Sequence, residues 1–345
     1  WLLAGGERLP SSAQLGQWLQ AWQQPPAIDL VPAPEASEVL YQPPAPAATS
    51  LSERQPAHPP FEHWWIGSYS ALVNGQDSYS LDHDVPALFL PPGAGRPHSP
   101  HNFPRGPQPG VFLHGLLETI AKDGFARSAE PAQRLAWLAP RCQRRNWGEW
   151  TSCLQDWLGC LLSQVWSLDG EPFSLAQLQA GQYQCEMQFL FAAHGVKATR
   201  IDALVRAQTP DEGNYPPLGA DQLNGLFKGY IDLVFEHRGR YWVVDYKSNW
   251  LGPEAGSYSQ AAMTRSVQAH RYDLQYVFYV LALHRQLKAR LPGYDYDRHV
   301  GGAVYWFLRG VDASGAGLWQ ARPSRQLIET LDRLFAGQAQ ETADA

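Results

Sequence analysis

Asp232, Asp245 and Lys247 are the residues whose types and spacing point most directly to chemistry. They lie in Gly229-Tyr230-Ile231-Asp232-Leu233-Val234-Phe235, a turn Glu236-His237-Arg238-Gly239, and Arg240-Tyr241-Trp242-Val243-Val244-Asp245-Tyr246-Lys247. Two apolar runs joined by a glycine-containing turn read as a hairpin. Successive side chains alternate across a strand, so Asp245 and Lys247 project from one face, and the neighbouring strand brings Asp232 beside them. Carboxylates held this close repel unless a cation lies between them, which favours a hard divalent metal with oxygen ligands. An ammonium next to that metal can hold a water or balance charge that builds up during a reaction. The alternative is an exposed Asp–Lys pair on an edge strand, worth under ~1 kcal/mol. Against it, Asp245 ends the apolar run Tyr241-Trp242-Val243-Val244, and an ionised carboxylate at the mouth of a buried strand needs a partner.

The order Gly-x-x-Asp, hairpin, Asp-x-Lys resembles the PD-(D/E)xK phosphodiesterase core. Wider strings are similar to one branch of it, the RecB-type nuclease domains of bacterial RecBCD helicase-nucleases. These strings are Phe227-Lys228-Gly229 through Phe235, Val244-Asp245-Tyr246-Lys247-Ser248-Asn249-Trp250-Leu251-Gly252, and Gln268-Ala269-His270-Arg271-Tyr272-Asp273-Leu274-Gln275-Tyr276. The likeness runs from about Trp64 to Phe335. It implies that Asp232 and Asp245 are metal-binding carboxylates and that Lys247 is the catalytic lysine. His114, in Gly110-Val111-Phe112-Leu113-His114-Gly115-Leu116-Leu117-Glu118, falls at a further metal ligand of this branch, and the backbone carbonyl of Tyr246 at a main-chain contact. Glu186 matches an acid that supports the site, although Gln188 stands where the pattern carries a second acid, and a surface charge on an edge strand is the other reading of Glu186. Gln275 and Tyr279, at i, i+4, match the Q-x-x-x-Y signature, and Arg271 lies one turn before them. Those three read as contacts to a nucleic-acid backbone and a stacked base, or as an ordinary helix face packed on the sheet.

The resemblance further implies Mg2+ as cofactor, with Mn2+ as a substitute, and in-line hydrolysis of DNA, mainly single-stranded, that leaves a 5′-phosphate and a 3′-hydroxyl. RecC and RecD are the implied partner subunits, and RecA an implied contact. A non-catalytic nuclease-like module that guides DNA or organises a complex is expected to have lost Asp232, Asp245 or Lys247, and all three are present. A stand-alone endonuclease of restriction type would cut at specific sequences and begin at its own Met. No GxxxxGK[ST] is present, which excludes a P-loop motor. The spacing of Cys142, Cys153, Cys160 and Cys185 fits neither a disulfide framework nor an iron–sulfur staple, so buried free thiols are expected. Asp82-His83-Asp84 and the pair His98 and His101 lie in Pro-rich loops that offer a metal little scaffolding, and Arg141-Cys142-Gln143-Arg144-Arg145 reads as a solvated helix end or a phosphate patch.

The elements that must position these residues are legible from periodicity. Residues 111–122 form a helix with Phe112, Leu113, Leu116, Leu117 and Ile120 on its apolar side, and residues 133–168 read as further amphipathic helices. Strands are expected at residues 183–191, 229–237 and 240–246, then a long helix at 258–291, a strand at 301–309 and a last helix at 324–335. This is an α/β fold: a mixed central sheet flanked by helices, in the order α-β-β-β-α-β, with an extra N-terminal helical region. Within its 345 residues, 61–345 are expected to be the RecB-like nuclease domain and 24–60 a Pro/Ala-rich linker. Residues 1–23 read as the stub of a preceding helicase region, with Leu15, Trp18, Leu19 and Trp22 at helical spacing. The chain opens without Met and is expected to be a piece of a longer polypeptide. A net charge of -6 excludes a uniformly basic surface but not a local basic groove. No apolar run approaches the ~20 residues of a membrane span and no secretory signal is evident, so a cytoplasmic location is expected.

Overall fold

The computed structural model describes residues 11–23, 31–32, 64–74, 98–209, 215–312 and 316–338. The chain divides into two units, residues 1–59 and 60–345. In the first, the expected amphipathic helix is α1 (Ser12–Trp22), started by a capping box between Ser11 and Gln14. Its apolar residues Leu15, Trp18, Leu19 and Trp22 are all exposed. Apart from residues 31–32, the expected linker lies outside the described residues, as does Asp82-His83-Asp84.

In the second unit, β1 (Trp65–Gly67) and α2 (Tyr69–Asn74) precede α3 (Pro107–Asp123), the short α4 (Phe125–Ser128), α5 (Pro131–Arg144) and α6 (Thr151–Ser163). A small hairpin, β2 (Trp166–Leu168) and β3 (Glu171–Phe173), leads to β4 (Tyr183–Lys197), α7 (Ala198–Arg206), β5 (Gln222–His237) and β6 (Arg240–Lys247). Then follow α8 (Gln260–Ala269), α9 (Tyr272–Arg290), α10 (Tyr296–His299), β7 (Val300–Phe307), β8 (Leu318–Ala321) and α11 (Arg325–Phe335). The expected α-β-β-β-α-β order is present as α3, β4, β5, β6, α9 and β7, with β1, β8 and the β2–β3 hairpin added.

The sheet runs β1-β5-β6-β7-β8, with β4 also on β5. The β6–β7 pair is parallel, with α8 and α9 making the crossover, whereas β4–β5, β5–β6 and β7–β8 are antiparallel. Apolar residues on one side pack against α7, α8, α9 and α11, and those on the other against α3 to α6. The layer holding α9 keeps its sheet face dry, and α3 to α6 cover the other face over β6, β7 and the parts of β4 and β5 that carry Tyr183, Cys185, Leu233 and Phe235.

Two features of β5 set up the site. Its one edge is paired with β4, while the other pairs with β6 at residues 233–237 and with β1 at 225–227. Between them, among the described residues, 228–232 face an opening. A glycine is required at 225, where φ is +121° and a Cβ would collide with the Trp65 carbonyl. The second feature is a change of side. On β4, Tyr183 and Cys185 pack toward α3–α6, whereas Met187, Phe189 and Phe191 pack toward α9. On β5, Leu233 and Phe235 face α3–α6, and Phe227 and Ile231 face α9. Both strands change sides at the same level, at Glu186 and Asp232. Glu186 is left-handed, with φ 49°, a conformation costly for a residue with a Cβ.

Two expected elements need correction. The long helix over 258–291 is broken into α8 and α9 at His270 and Arg271, where Arg271 has φ 59° and caps α9 from outside the helix. The helical reading of 133–168 fails at its end, where Trp166–Leu168 is a strand. Of the four free cysteines, Cys142 is buried and the others are partly so.

The strand expected to run to Arg309 stops at Phe307, and Arg309 turns inward. Its buried guanidinium donates to the carbonyls of Ser248 at 2.8 Å, Phe103 at 2.7 Å, Pro104 at 2.7 Å and Pro100 at 3.3 Å. It ties the loop before α3 to the end of β6. Arg309→Met should destabilise the protein by about 3–5 kcal/mol, because it strands several buried acceptors at once. Lys should restore little, since one ammonium cannot span the fork. Equilibrium denaturation measures this, and a loss under ~1 kcal/mol would show that the carbonyls find water instead.

Candidate active site

The β5–β6 ladder ends at the pair Leu233 and Val244. One step further, the side chain of Asp232 takes over from the main chain: its Oδ2 accepts the Tyr246 N–H at 2.8 Å. N–H and C=O of one extended residue point to the same edge of a strand, so the Tyr246 carbonyl faces the same gap. By continuation of the register, Asp232 stands opposite Asp245 on β6 and opposite Glu186 on β4.

Asp245 and Lys247 point toward α9 and are nearly closed off, 5% and 2% exposed. Lys247 Nζ lies 2.8 Å from Asp245 Oδ2. Gln275 reaches down from α9 and ties the pair: its Oε1 accepts from Lys247 Nζ at 2.8 Å and its Nε2 donates to Asp245 Oδ1 at 3.1 Å. The Tyr279 hydroxyl lies 3.0 Å from the same Nε2 and 3.4 Å from Asp245 Oδ1. Behind them, the Tyr305 hydroxyl is 3.0 Å from Gln275 Oε1, and the Tyr272 ring lies 3.5 Å from Lys247 Nζ. A buried charge pair of this kind persists only with its remaining valences satisfied, and the amide and ring supply that. Burial, then the Asp245 charge, raises the Tyr279 and Tyr305 phenols well above their ordinary value. Both are therefore neutral hydrogen-bonding groups at any working pH.

Asp232 occupies the other half of the site. His114, on α3, brings Nδ1 to 3.5 Å from Asp232 Oδ2, and its ring meets Tyr246 edge-on. Burial raises the Asp232 carboxyl well above the ordinary range, the Asp245 charge adds to this, and the Tyr246 N–H opposes it. Glu186 is exposed at the rim. Its carboxyl is raised by partial desolvation and then by Glu118, against the pull of His114 and Lys122.

Among the described residues, no three His, Cys, Asp or Glu side chains converge on one point, and Asp245 is bonded to Lys247 and Gln275. The donor set nonetheless suits a hard divalent cation. Asp232 is a largely buried carboxylate whose charge is unfavourable beside another acid, and His114 and the Tyr246 carbonyl border the same gap.

The structure thus brings together Asp232, Asp245, Tyr246, Lys247, Glu186 and His114. It corrects the reading of Arg271 as a nucleic-acid contact. That guanidinium is fully buried and donates to Asp202 at 2.5 Å, to Asp273 at 3.2 Å and to the Pro216 carbonyl at 3.0 Å, where no external phosphate reaches it. Gln275 and Tyr279 are also buried, so they hold Asp245 and Lys247 rather than stack on a base. His101 is structural, its carbonyl accepting from Trp250 Nε1 at 3.1 Å, and Arg141 is bonded to the Trp137 carbonyl of its own helix. Sequence reasoning missed Glu118, one turn beyond His114 on the same helix face, and the aromatic bed of Tyr272 and Tyr305. The i, i+4 spacing could have found Glu118; the tyrosines converge only through the fold.

A profile of the PD-(D/E)XK nuclease superfamily matches residues 95–345, which contain every one of these side chains. The chain belongs to that superfamily. As a PD-(D/E)XK nuclease domain it is homologous to RecB proteins. It is 40% identical over 293 residues to the RecBCD enzyme subunit RecB of Escherichia coli (strain K12), covering 82% of this chain and 24% of that protein. With the subunit of the same name from Haemophilus influenzae it shares 35% identity over 238 residues, 68% of this chain and 19% of the relative. The corresponding figures for Mycolicibacterium smegmatis RecB are 26% over 347 residues, 86% and 31%. The PD-(D/E)XK chain therefore spans less than a third of the length of these curated relatives.

Proposed function

We propose that this chain is the nuclease module of a RecB-like helicase-nuclease subunit and hydrolyses phosphodiester bonds of DNA, mainly single-stranded, during double-strand-break repair and recombination. The observation that carries the reading is the assembled set of Asp232, Asp245 and Lys247 across the open end of the β5–β6 ladder, with His114 delivered by α3. A non-catalytic module would have no need to keep a buried lysine, two acids and a bridging amide in register.

His114, Asp232, Asp245 and the Tyr246 carbonyl would hold Mg2+, or Mn2+ in its place. When bound, that cation supplies Lewis-acid activation of water and of the scissile phosphate. Lys247, fixed by Asp245 and Gln275, orients the attacking water and balances charge growing on the phosphoryl oxygens. Glu186, raised in pKa and open to solvent, takes the proton released by that water. Attack in line with the bond to O3′ breaks it, and the departing O3′ takes a proton from solvent, which leaves a 5′-phosphate and a 3′-hydroxyl.

Kinship with RecB extends the reading to RecC and RecD as partner subunits, to RecA as a further contact and to a cytoplasmic setting. Among the described residues, no helix is long and apolar enough to cross a membrane. Residues 24–60 would tether the nuclease to a helicase, and residues 1–23 would belong to that preceding region.

The test is incubation of the folded chain with end-labelled single-stranded DNA, with Mg2+ or with EDTA. Cleavage should require the metal and yield ends that ligate without prior phosphorylation. Intact DNA in both arms, with folding verified by near-ultraviolet dichroism, would remove the hydrolytic reading.

A further inference from the structure

Beyond Glu186 and Asp232, among the described residues, no helix covers the sheet face on the α3 side. Cross-strand residues in register share a face, and β4–β5 pairing sets Gln188 beside Tyr230 and Leu190 beside Lys228. On the outer strand, Ile66 pairs with Leu226. The change of side at Glu186 and Asp232 turns Phe189, Phe191 and Phe227 into the core under α9 and leaves their neighbours outward. Ile66 is 58% exposed, Leu190 54% and Tyr230 45%. Lys228 places its ammonium 5.4 Å from the Tyr230 ring centroid.

We propose that this face is the track on which the strand being cut lies, with a base stacked on Tyr230 and a backbone phosphate paired with Lys228. The proposal rests on the nuclease reading and names where its substrate binds. Continuity chooses the occupant. Tyr230 and Lys228 lie on the same strand as Asp232, roughly 7 and 13 Å from it at about 3.3 Å per residue, so whatever occupies the face leads into the acids. The chemistry agrees, because an open aromatic ring, an aliphatic neighbour and a cation in one row form a stacking platform for single-stranded nucleic acid that is tolerant of sequence. Gln188, outward beside Tyr230, adds an uncharged donor suited to sugar and phosphate oxygens.

Two measurements on the full chain test this. Binding of a fluorescent oligothymidylate is followed by anisotropy in Ca2+. Turnover of bis(p-nitrophenyl) phosphate in Mn2+ reports hydrolysis of a diester too small to reach Tyr230. Tyr230→Ala should weaken oligonucleotide binding about tenfold, Tyr230→Trp should retain it, and both should hydrolyse the small diester like the parent. Lys228→Glu should weaken binding and flatten its salt dependence. Unchanged oligonucleotide binding in Tyr230→Ala would overturn the track and leave a protein segment as the occupant of the face. Parallel loss of both activities would also overturn it, since that marks a structural role. A parent protein that binds the oligonucleotide through Tyr230 but hydrolyses neither substrate would instead sink the nuclease reading alone.

Discussion

Asp245→Ala should reduce phosphodiester hydrolysis by about a thousandfold or more, the scale expected when a group that holds a catalytic cation or preorganised charge is removed. The carboxylate has two tasks. It would contribute an oxygen to the cation, and it fixes Lys247 at 2.8 Å. Removing it leaves an ammonium that is only 2% exposed facing an amide and aromatic rings. A buried charge stripped of its partner costs about 3–5 kcal/mol, so lost activity in this variant could be lost folding. The paired substitution Asp245→Asn with Lys247→Met separates the two, because it removes both charges and keeps the volume. It should fold with parent-like near-ultraviolet dichroism and still show no more than a thousandth of parental cleavage in single-turnover assays on a labelled oligonucleotide. Retention of even a tenth of the parental rate by that folded double variant would dismiss Asp245 and Lys247 as the reacting centre.

Asp232→Asn should likewise abolish most hydrolysis, on the order of a thousandfold, yet stabilise the metal-free protein by on the order of 1–2 kcal/mol. Burial and the neighbouring Asp245 raise the folded carboxyl well above its ordinary value of 3.8. In the metal-free protein the native state therefore holds this proton more tightly than the unfolded chain does. Its contribution to stability is fully present below pH 3.8 and is lost as pH rises through the raised folded value. An asparagine cannot lose that proton, while its amide oxygen can still accept the Tyr246 N–H. The variant should thus lack the part of the pH slope that belongs to Asp232. Adding Mg2+ or Mn2+ should raise the melting temperature of the parent, as any ligand of the native state does, and leave the variant nearly unmoved. Equal thermal shifts in the two proteins would place the cation elsewhere.

The hairpin and its Asp, Asp-x-Lys spacing were legible because period-2 alternation is a local property: Asp245 and Lys247 share a face whatever surrounds them. The helices were legible where an apolar stripe runs long enough, as in α3 and α11, and the family likeness selected His114 from an otherwise ordinary helix face. The strands β1, β2, β3 and β8, of three or four residues, are too short for a period to show. Arg271 was misread because i, i–4 spacing from Gln275 assumes one unbroken helix, whereas a left-handed residue at 271 turns its side chain toward Asp202 on α7. Gln275 and Tyr279 could be read as nucleic-acid contacts or as a packed helix face, and the structure buries both against Asp245 and Lys247. Spacing shows that they share a face, and only packing shows that the face is closed.

The coincident change of side at Glu186 and Asp232 also bears on how this protein can vary. A single-codon insertion or deletion anywhere between Met187 and Phe191, or between Phe227 and Ile231, would slide the acid off its cross-strand neighbour and in the same stroke turn phenylalanines out to water. Descendants of such a gene can swap side chains along these strands, but they cannot change the strands' length and keep either the fold or the acids in place.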